Sequence, residues 1–178
     1  MRICMISEGC YPYVVGGVSS WIHSMIQTFP DVEFVLLTVI AGRDLSGKFA
    51  YELPDNLVEV HEVYLQDADY GNVNSIHKAK MSKEEYRALR SLILNHEVDW
   101  GGIFDYFHHQ KVSINDLLMG EDFYHAVLEA YNLQYPDIVF SDFLWTMRSM
   151  YLPLFLALSS EVPKADVYHA VSTGYAGI

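Results

Sequence analysis

Residues 1–40 read MRICMISEGCYPYVVGGVSSWIHSMIQTFPDVEFVLLTVI. The short apolar run Arg2–Ser7 predicts a buried strand, which the glycine- and proline-bearing stretch Glu8–Gly17 ends. Apolar residues then recur every three or four positions over 18–29, a pattern typical of an amphipathic helix. Val32–Ile40 is almost continuously apolar and predicts a second buried strand. Strand, helix and strand in this order indicate a βαβ unit, whose two strands are parallel.

The rest of the chain continues the alternation of strands and helices. Leu57–Leu65 alternates apolar and polar residues, which predicts a third strand nearer the edge of the sheet. Asp166–Val171 predicts a short, buried fourth strand. Between these two strands, Ser82 and Glu85 form a capping box that starts a helix, and further helical patterns follow at 115–119, 121–133 and 142–158.

This order predicts an α/β fold with a Rossmann-like, doubly wound parallel sheet. The first strand is expected at the centre of the sheet, between the second and the fourth. Residues of about 82–159 are expected to form a helical insertion within a single domain covering 1–178. Because the chain stops where another helix is expected to begin, the sequence indicates a domain that is truncated at its C-terminus.

Charge and cysteine content limit the class of protein. Acidic residues outnumber basic ones by 23 to 11, a formal net charge of −12, which disfavours nucleic acid and anionic membrane surfaces as partners. Cys4 and Cys10 are the only cysteines, so a disulfide framework is not indicated. The start of the chain lacks the pattern of a signal peptide, and Met150–Leu158 is too short to span a bilayer. A cytoplasmic protein is therefore expected.

Two segments are expected at the carboxyl edge of the sheet, where ligands bind in open parallel sheets. They are the loop after the first strand, Glu8–Gly17, and the loop after the fourth, Ser172–Gly177. Gly16 and Gly17 directly precede a helix, whose N-terminal N–H groups favour a phosphate or a sugar oxygen. The alternative is that the two glycines only allow a tight turn between strand and helix.

Several familiar sites are not indicated. The loop after the first strand lacks the Gly-x-Gly-x-x-Gly pattern of dinucleotide cofactors and the glycine-lysine pattern of P-loop proteins. His108 and His109 are adjacent, which is not a metal-ligand spacing, and no metal site is expected. His169 differs because it ends a predicted strand beside the expected site, although a structural role is an equal alternative.

Three stretches resemble one family of enzymes. They are Glu8–Trp21 (EGCYPYVVGGVSSW), Phe143–Arg148 (FLWTMR) and Asp166–Gly177 (DVYHAVSTGYAG). The first closely resembles the Pel exopolysaccharide glycosyltransferases, called PelF-like, and the other two are similar to the same family, the middle one more weakly. This family belongs to the retaining group that includes sucrose and glycogen synthases. The three stretches occur in the family's order and bracket nearly the whole chain.

The resemblance implies a GT-B architecture, in which two Rossmann-like domains face each other across a cleft. This chain would be the incomplete, N-terminal, acceptor-side half, and the absent second domain would bind the nucleotide sugar, which in Pel-type enzymes is thought to be UDP-glucose. The resemblance places Gly16, Gly17 and Val18 near the donor phosphate and sugar. It places the following residues along the cleft or at the acceptor: Glu8, Tyr11, Tyr13, Ser19, His169, Ser172, Thr173, Gly174 and Tyr175.

The function implied is retaining transfer of a hexose from a nucleotide sugar to an exopolysaccharide or another glycan, without a metal or other cofactor. The isolated chain is expected to be inactive because the donor-binding domain is missing. The resemblance also allows association with a membrane-bound polysaccharide export complex. The alternative is a non-catalytic binding or interaction module that retains the acceptor-side half of the fold.

Overall fold

The computed structural model of the protein describes residues 1–67, 80–109 and 113–171. These residues divide into two units, one made of 1–67 and 160–171 and the other of 80–109 and 113–159. All four strands of the described chain lie in the first unit, together with one α-helix. The second unit is entirely helical, with five α-helices among its described residues.

The first unit is built on a parallel sheet with the strand order β3-β2-β1-β4. The strands are β1 (Arg2–Glu8), β2 (Glu33–Ile40), β3 (Leu57–Tyr64) and β4 (Val167–Ala170). β1 lies at the centre and pairs in parallel with both β2 and β4. This is the order in which the first four strands of a Rossmann sheet are arranged. The predicted α/β class with a Rossmann-like parallel sheet is therefore confirmed, as is the central position of the first strand.

The helix α1 (Gly17–Thr28) packs on the sheet through Ile22 and Ile26, which lie one turn apart. Both side chains are fully buried in a cluster that contains Met5 and Phe34 of the strands. Burying an aliphatic side chain of this size stabilises a fold by about 1.5–3 kcal/mol. The helix is thus held to the sheet by its middle turns.

The apolar pattern of α1 does not coincide with its buried side. Val18, Trp21 and Phe29 belong to the predicted apolar stripe, yet their exposed fractions are 47%, 47% and 50%. The side that faces the sheet instead includes Ser19, which is 1% exposed. The helix is therefore rotated relative to the predicted stripe, and Val18 and Trp21 are left at its solvent-exposed side.

The fourth strand is not buried as predicted. Val167 and Tyr168 are 46% and 48% exposed, and only His169 within β4 is half-buried. β4 is the last strand of the described sheet, so one of its sides has no neighbouring strand there. Its apolar sequence alone cannot distinguish such an edge position from a buried one.

The second unit packs its five helices around aromatic side chains. Phe155 is fully buried, and its ring lies 5.1 Å from Phe107, 6.3 Å from Phe123 and 5.4 Å from Tyr151 between centroids. The helices are α2 (Lys83–Leu94), α3 (Trp100–His109), α4 (Ile114–Leu118), α5 (Glu121–Gln134) and α6 (Phe140–Leu158).

The start of α2 confirms the predicted capping box. The backbone N–H of Glu85 donates to Ser82 Oγ at 3.2 Å, and the backbone N–H of Ser82 donates to Glu85 Oε2 at 2.7 Å. Both bonds satisfy donors that have no partner inside the helix. Among the described residues, no helix is long and apolar enough to cross a membrane.

The helix α3 has no clear signal in the sequence. Gly101 and Gly102 lie in its first turn, and a glycine in a helix costs about 1 kcal/mol relative to alanine. The helix forms because Ile103, Tyr106 and Phe107 are buried on one side. Tertiary packing therefore outweighs the low local propensity.

Candidate functional site

The loop between β1 and α1 contains two kinds of glycine. Gly9 has a φ of +61°, a left-handed conformation that glycine adopts without strain, and its N–H donates to the Val39 carbonyl at 2.9 Å. Gly16 instead has an extended backbone, with φ −173° and ψ 175°. Among the described glycines only Gly9 and Gly47 have a positive φ. The backbone conformation therefore requires glycine at Gly9 but not at Gly16 or Gly17.

Packing does not require glycine at the start of α1 either. A Cβ built on Gly16 or Gly17 has no described atom within 4 Å, apart from the neighbouring residues. Gly16 is the N-cap of α1 and supplies no side-chain hydrogen bond to the first-turn N–H groups. These N–H groups have no acceptor within the helix itself. The alternative that the glycines serve only a tight turn thus has no steric or conformational support.

An open groove of about 320 Å³ lies beside this helix start. It is lined by Gly17, Val18, Trp21, His169 and Val171. The ring of His169 on β4 lies 5.7 Å from the ring of Trp21 on α1, with the ring planes at 45°. The groove is at the carboxyl ends of β1 and β4, where the strand order reverses, the usual position of ligands in such sheets. The structure therefore brings together Gly17, Val18 and His169 of the predicted site.

Trp21 is a groove residue that sequence analysis assigned to the apolar stripe of the helix. It lies four residues after Gly17, and residues with this spacing share one side of a helix. That spacing is the signal from which its place beside the glycines could have been found.

Glu8 and Ser19 carry polar atoms that are buried without a partner. Glu8 ends β1, and its Oε2 is buried; Ser19 lies in the first turn of α1, and its Oγ is buried. Within the described part of the chain, neither atom has a hydrogen-bond partner. Buried polar atoms in folded proteins are nearly always paired with protein or water. Both residues belong to the predicted site, but neither lines the groove, and Ser19 lies on the buried side of α1.

Tyr11 and Tyr13 support the loop and do not line the groove. Tyr11 is fully buried, and its hydroxyl lies 3.2 Å from His23 Nδ1. Burial, together with neighbouring Tyr51, raises the pKa of Tyr11 to about 12. Tyr13 is 8% exposed, and its hydroxyl donates to Glu62. The cleft-lining positions that the resemblance implies for these two tyrosines are therefore not observed. Ser172, Thr173, Gly174 and Tyr175 lie outside the described residues.

Glu62 of β3 joins the loops after β1 and β2 at the carboxyl edge of the sheet. Its carboxylate accepts hydrogen bonds from the hydroxyls of Tyr13 and Tyr64, from Ser46 Oγ at 3.0 Å, and from the backbone N–H of Gly47. Partial burial acts to raise the pKa of the Glu62 carboxyl, but these hydrogen bonds together lower it below its ordinary value. Burial and the carboxylate charge also raise the pKa of Tyr13, which keeps its phenol a donor. The loop after β1 is thus fixed to the loop after β2 and to the end of β3.

We expect Glu62→Gln to lower the free energy of unfolding by about 1–2 kcal/mol near neutral pH, because hydrogen bonds to a charged acceptor are lost. Since the pKa of Glu62 is lowered in the folded state, its contribution is present above the unfolded-state pKa of about 4.3 and is lost as pH falls through the folded-state value. The free energy of unfolding, measured with urea across this pH range, should fall less steeply with decreasing pH in the variant than in the wild type. Glu52→Gln, at an exposed glutamate, is the control. Equal effects of both substitutions would contradict the role of Glu62.

Metal binding and thiol chemistry have no visible basis in the described residues. Within 1–67, 80–109 and 113–171, no three His, Cys, Asp or Glu side chains are grouped as metal ligands. Cys4 and Cys10 are both free, and Cys4 is fully buried in β1. Burial raises the pKa of the Cys4 thiol to about 11, so it stays protonated and unreactive at neutral pH.

The fold and the groove define an α/β domain with a Rossmann-like parallel sheet and a candidate ligand site where its strand order reverses. The whole chain, residues 1–178, matches the family described as a domain of unknown function (DUF3492). The chain belongs to this family. Neither a curated protein nor a solved structure matches the chain.

Proposed function

We propose that this chain is the acceptor-side, N-terminal domain of a two-domain retaining glycosyltransferase related to the Pel exopolysaccharide enzymes. One observation carries the proposal. The stretch Glu8–Trp21, which most closely resembles that family, forms the loop and helix start at the reversal point of a parallel sheet. Its two glycines leave the N-terminus of α1 uncovered, although neither conformation nor packing requires them.

In this proposal Gly16 and Gly17 let the backbone approach the diphosphate and the transferred hexose of a nucleotide sugar, UDP-glucose by resemblance. The first-turn N–H groups and the positive end of the α1 dipole then stabilise negative charge on the leaving diphosphate. Glu8, at the end of β1, supplies a carboxylate for sugar hydroxyls. His169 borders the same groove. The chemistry needs no metal from this chain.

The surface around the loop between β1 and α1, called the glycine loop here, also supports the proposal. Val14, Val15, Val18 and Trp21 are each about half exposed or more, and clustered exposed apolar side chains mark interaction surfaces. In the proposal this is the surface on which a donor-binding domain closes. The groove of about 320 Å³ is at the lower end of the range for ligand pockets, about 300–1,000 Å³. It would therefore hold only part of a nucleotide sugar.

The proposal includes a cytoplasmic location, where nucleotide sugars are made, and an exopolysaccharide or another glycan as the acceptor. Association with a membrane-bound polysaccharide export complex is a further part of it. The acceptor binds on the side of the cleft that this chain provides.

The experiment compares the full-length protein with the 178-residue chain. We expect the full-length protein to release UDP from UDP-glucose and to extend a glycan acceptor. We expect calorimetry to detect at most millimolar binding of UDP or UDP-glucose to the chain alone, because the second domain makes most contacts with the donor. Micromolar UDP affinity of the chain alone would instead indicate a self-sufficient nucleotide-binding module. Glycan binding by a full-length protein that turns over no nucleotide sugar would favour the non-catalytic alternative.

A further inference from the structure

A small pocket in the second unit lies among α4, α5 and α6, and the site proposed above uses none of its residues. Its volume is about 150 Å³, and it is lined by Leu118, Met119, Tyr124, Leu144, Trp145 and Arg148. Three of these side chains are exposed although they are large and apolar: Met119 at 66%, Trp145 at 61% and Tyr124 at 41%. The pocket thus has an apolar interior formed by leucines and an exposed aromatic rim.

Arg148 is an unusual cation in its surroundings. It is the only Lys or Arg in residues 113–159, a stretch that contains six acidic residues: Asp116, Glu121, Asp122, Glu129, Asp137 and Asp142. Yet no carboxylate in the described part of the chain forms an ion pair with it. Its Nη2 donates instead to the neutral Asn115 Oδ1 at 2.6 Å, and its guanidinium lies 5.4 Å from the centre of the Trp145 ring. Its positive charge is therefore held in place but not neutralised.

The position of the guanidinium is fixed before any partner binds. Trp145 and Arg148 lie three residues apart on α6, so they share one side of the helix, while Phe143 and Met147 are buried. Asn115 holds the group from α4, and the Met119 sulfur also contacts it. An arginine held in this way loses less conformational freedom on binding than a free side chain does.

Size and lining limit what the pocket can hold. Its volume is about half of the smallest common small-molecule pockets, which are about 300 Å³, so it suits one apolar side chain better than a cofactor. Arg148, the Tyr124 hydroxyl and the Trp145 indole N–H are its side-chain hydrogen-bonding groups, apart from the weak acceptor sulfur of Met119. A sugar has hydroxyls on most carbons and would leave many of them unpaired here. Trp, Tyr, Arg and Met are instead the residue types enriched at protein–protein interfaces.

We propose that this pocket docks a segment of another protein that carries a carboxylate next to a large apolar side chain. The apolar side chain enters between Leu118 and Leu144, and the carboxylate pairs with the guanidinium of Arg148 beside the Trp145 ring. The positive charge of the Arg148 guanidinium favours the carboxylate, and the apolar lining favours the apolar side chain. The proposal is independent of the function proposed for the sheet.

The test uses a display library of random twelve-residue peptides, selected on the immobilised full chain. We expect the selected peptides to share an Asp or Glu next to Leu, Ile, Phe or Trp. Synthetic copies should bind at least ten-fold more weakly to Asn115→Asp. This substitution is nearly isosteric and places a carboxylate 2.6 Å from the guanidinium, so it neutralises the cation from within the chain. Trp145→Ala should weaken binding similarly, because it removes the ring beside which the carboxylate binds. The variant should remain folded, since Trp145 is exposed and its loss leaves the core intact.

Arg87→Ala is the matched control, because Arg87 is an exposed arginine on α2 of the same unit. Its affinity for the peptides should equal that of the wild type, and circular dichroism should show all variants folded. Peptides without acidic residues, peptides that bind Asn115→Asp normally, or no selected peptide at all would overturn the proposal. Self-association that Trp145→Ala abolishes, or binding of acidic oligosaccharides in place of peptides, would also overturn it.

Discussion

Replacing Gly17 with valine is expected to lower the sugar-transfer rate of the full-length protein by about a hundred- to thousand-fold without changing its melting temperature. The β-branched side chain would fill the open space in front of the first-turn N–H groups of α1. Each lost hydrogen bond to developing charge costs about 2.7–4 kcal/mol of transition-state stabilisation. Stability should be unaffected because a Cβ at Gly17 meets no described atom within 4 Å and its φ is not positive.

Gly9→Val is the matched control for this substitution. Gly9 lies in the same loop and also has no described atom within 4 Å of a built Cβ, but its φ is +61°. A β-branched residue is strained in this conformation, so we expect Gly9→Val to lower the melting temperature. Rate and melting temperature are measured on the same samples. A lower melting temperature for Gly17→Val with a near-normal rate per folded molecule would show that Gly17 serves the turn and not the site.

Phe155→Ala is expected to lower the free energy of unfolding of the helical unit by about 3–5 kcal/mol. Phe155 is fully buried, and its ring packs against Phe107, Phe123 and Tyr151 from three helices. Removing the ring leaves a cavity that these rigid aromatic side chains cannot fill. Urea unfolding followed by far-ultraviolet circular dichroism measures the loss.

Trp145→Ala tests whether burial or aromatic character determines this loss. Trp145 lies on the same helix and is a larger aromatic residue, but it is 61% exposed. We therefore expect its replacement to change stability by about 0.5 kcal/mol or less. Phe155→Leu, which keeps most of the apolar volume, should cost clearly less than Phe155→Ala. Similar losses for Phe155→Ala and Trp145→Ala would contradict the packing described for α6.

The sheet could be predicted from the sequence because its signals are local. Each strand is a short apolar or alternating run, and glycine or proline marks where β1 and α1 end. The parallel pairing then follows from the order of the elements, since a helix between strands returns the chain in the same direction. Helix α3 was not predicted, because its two glycines disfavour a helix. It is stabilised by the burial of Ile103, Tyr106 and Phe107 and by a local cap, in which the Gly102 N–H donates to Asp99 Oδ1 at 3.0 Å.

The candidate site was predictable where topology determines it. Gly17 and His169 lie far apart in the sequence, yet each follows or ends a strand at the carboxyl edge, and the structure brings both to one groove. Tyr11 was expected along the cleft and is buried instead, because its loop folds back over the core. Whether a loop aromatic points inward or outward depends on the path of the loop, which no local pattern specifies.

The two thiols of the natural sequence differ in burial, and so in their expected reactivity toward a thiol reagent. Cys4 is fully buried at the centre of the sheet, and with a pKa of about 11 only about one molecule in ten thousand carries its thiolate at pH 7. Cys10 is half-buried in the glycine loop. We therefore expect a maleimide to react faster with Cys10 than with Cys4 in the native state, and to reach Cys4 only when β1 opens. One reagent thus reports separately on loop accessibility and on the opening of the sheet.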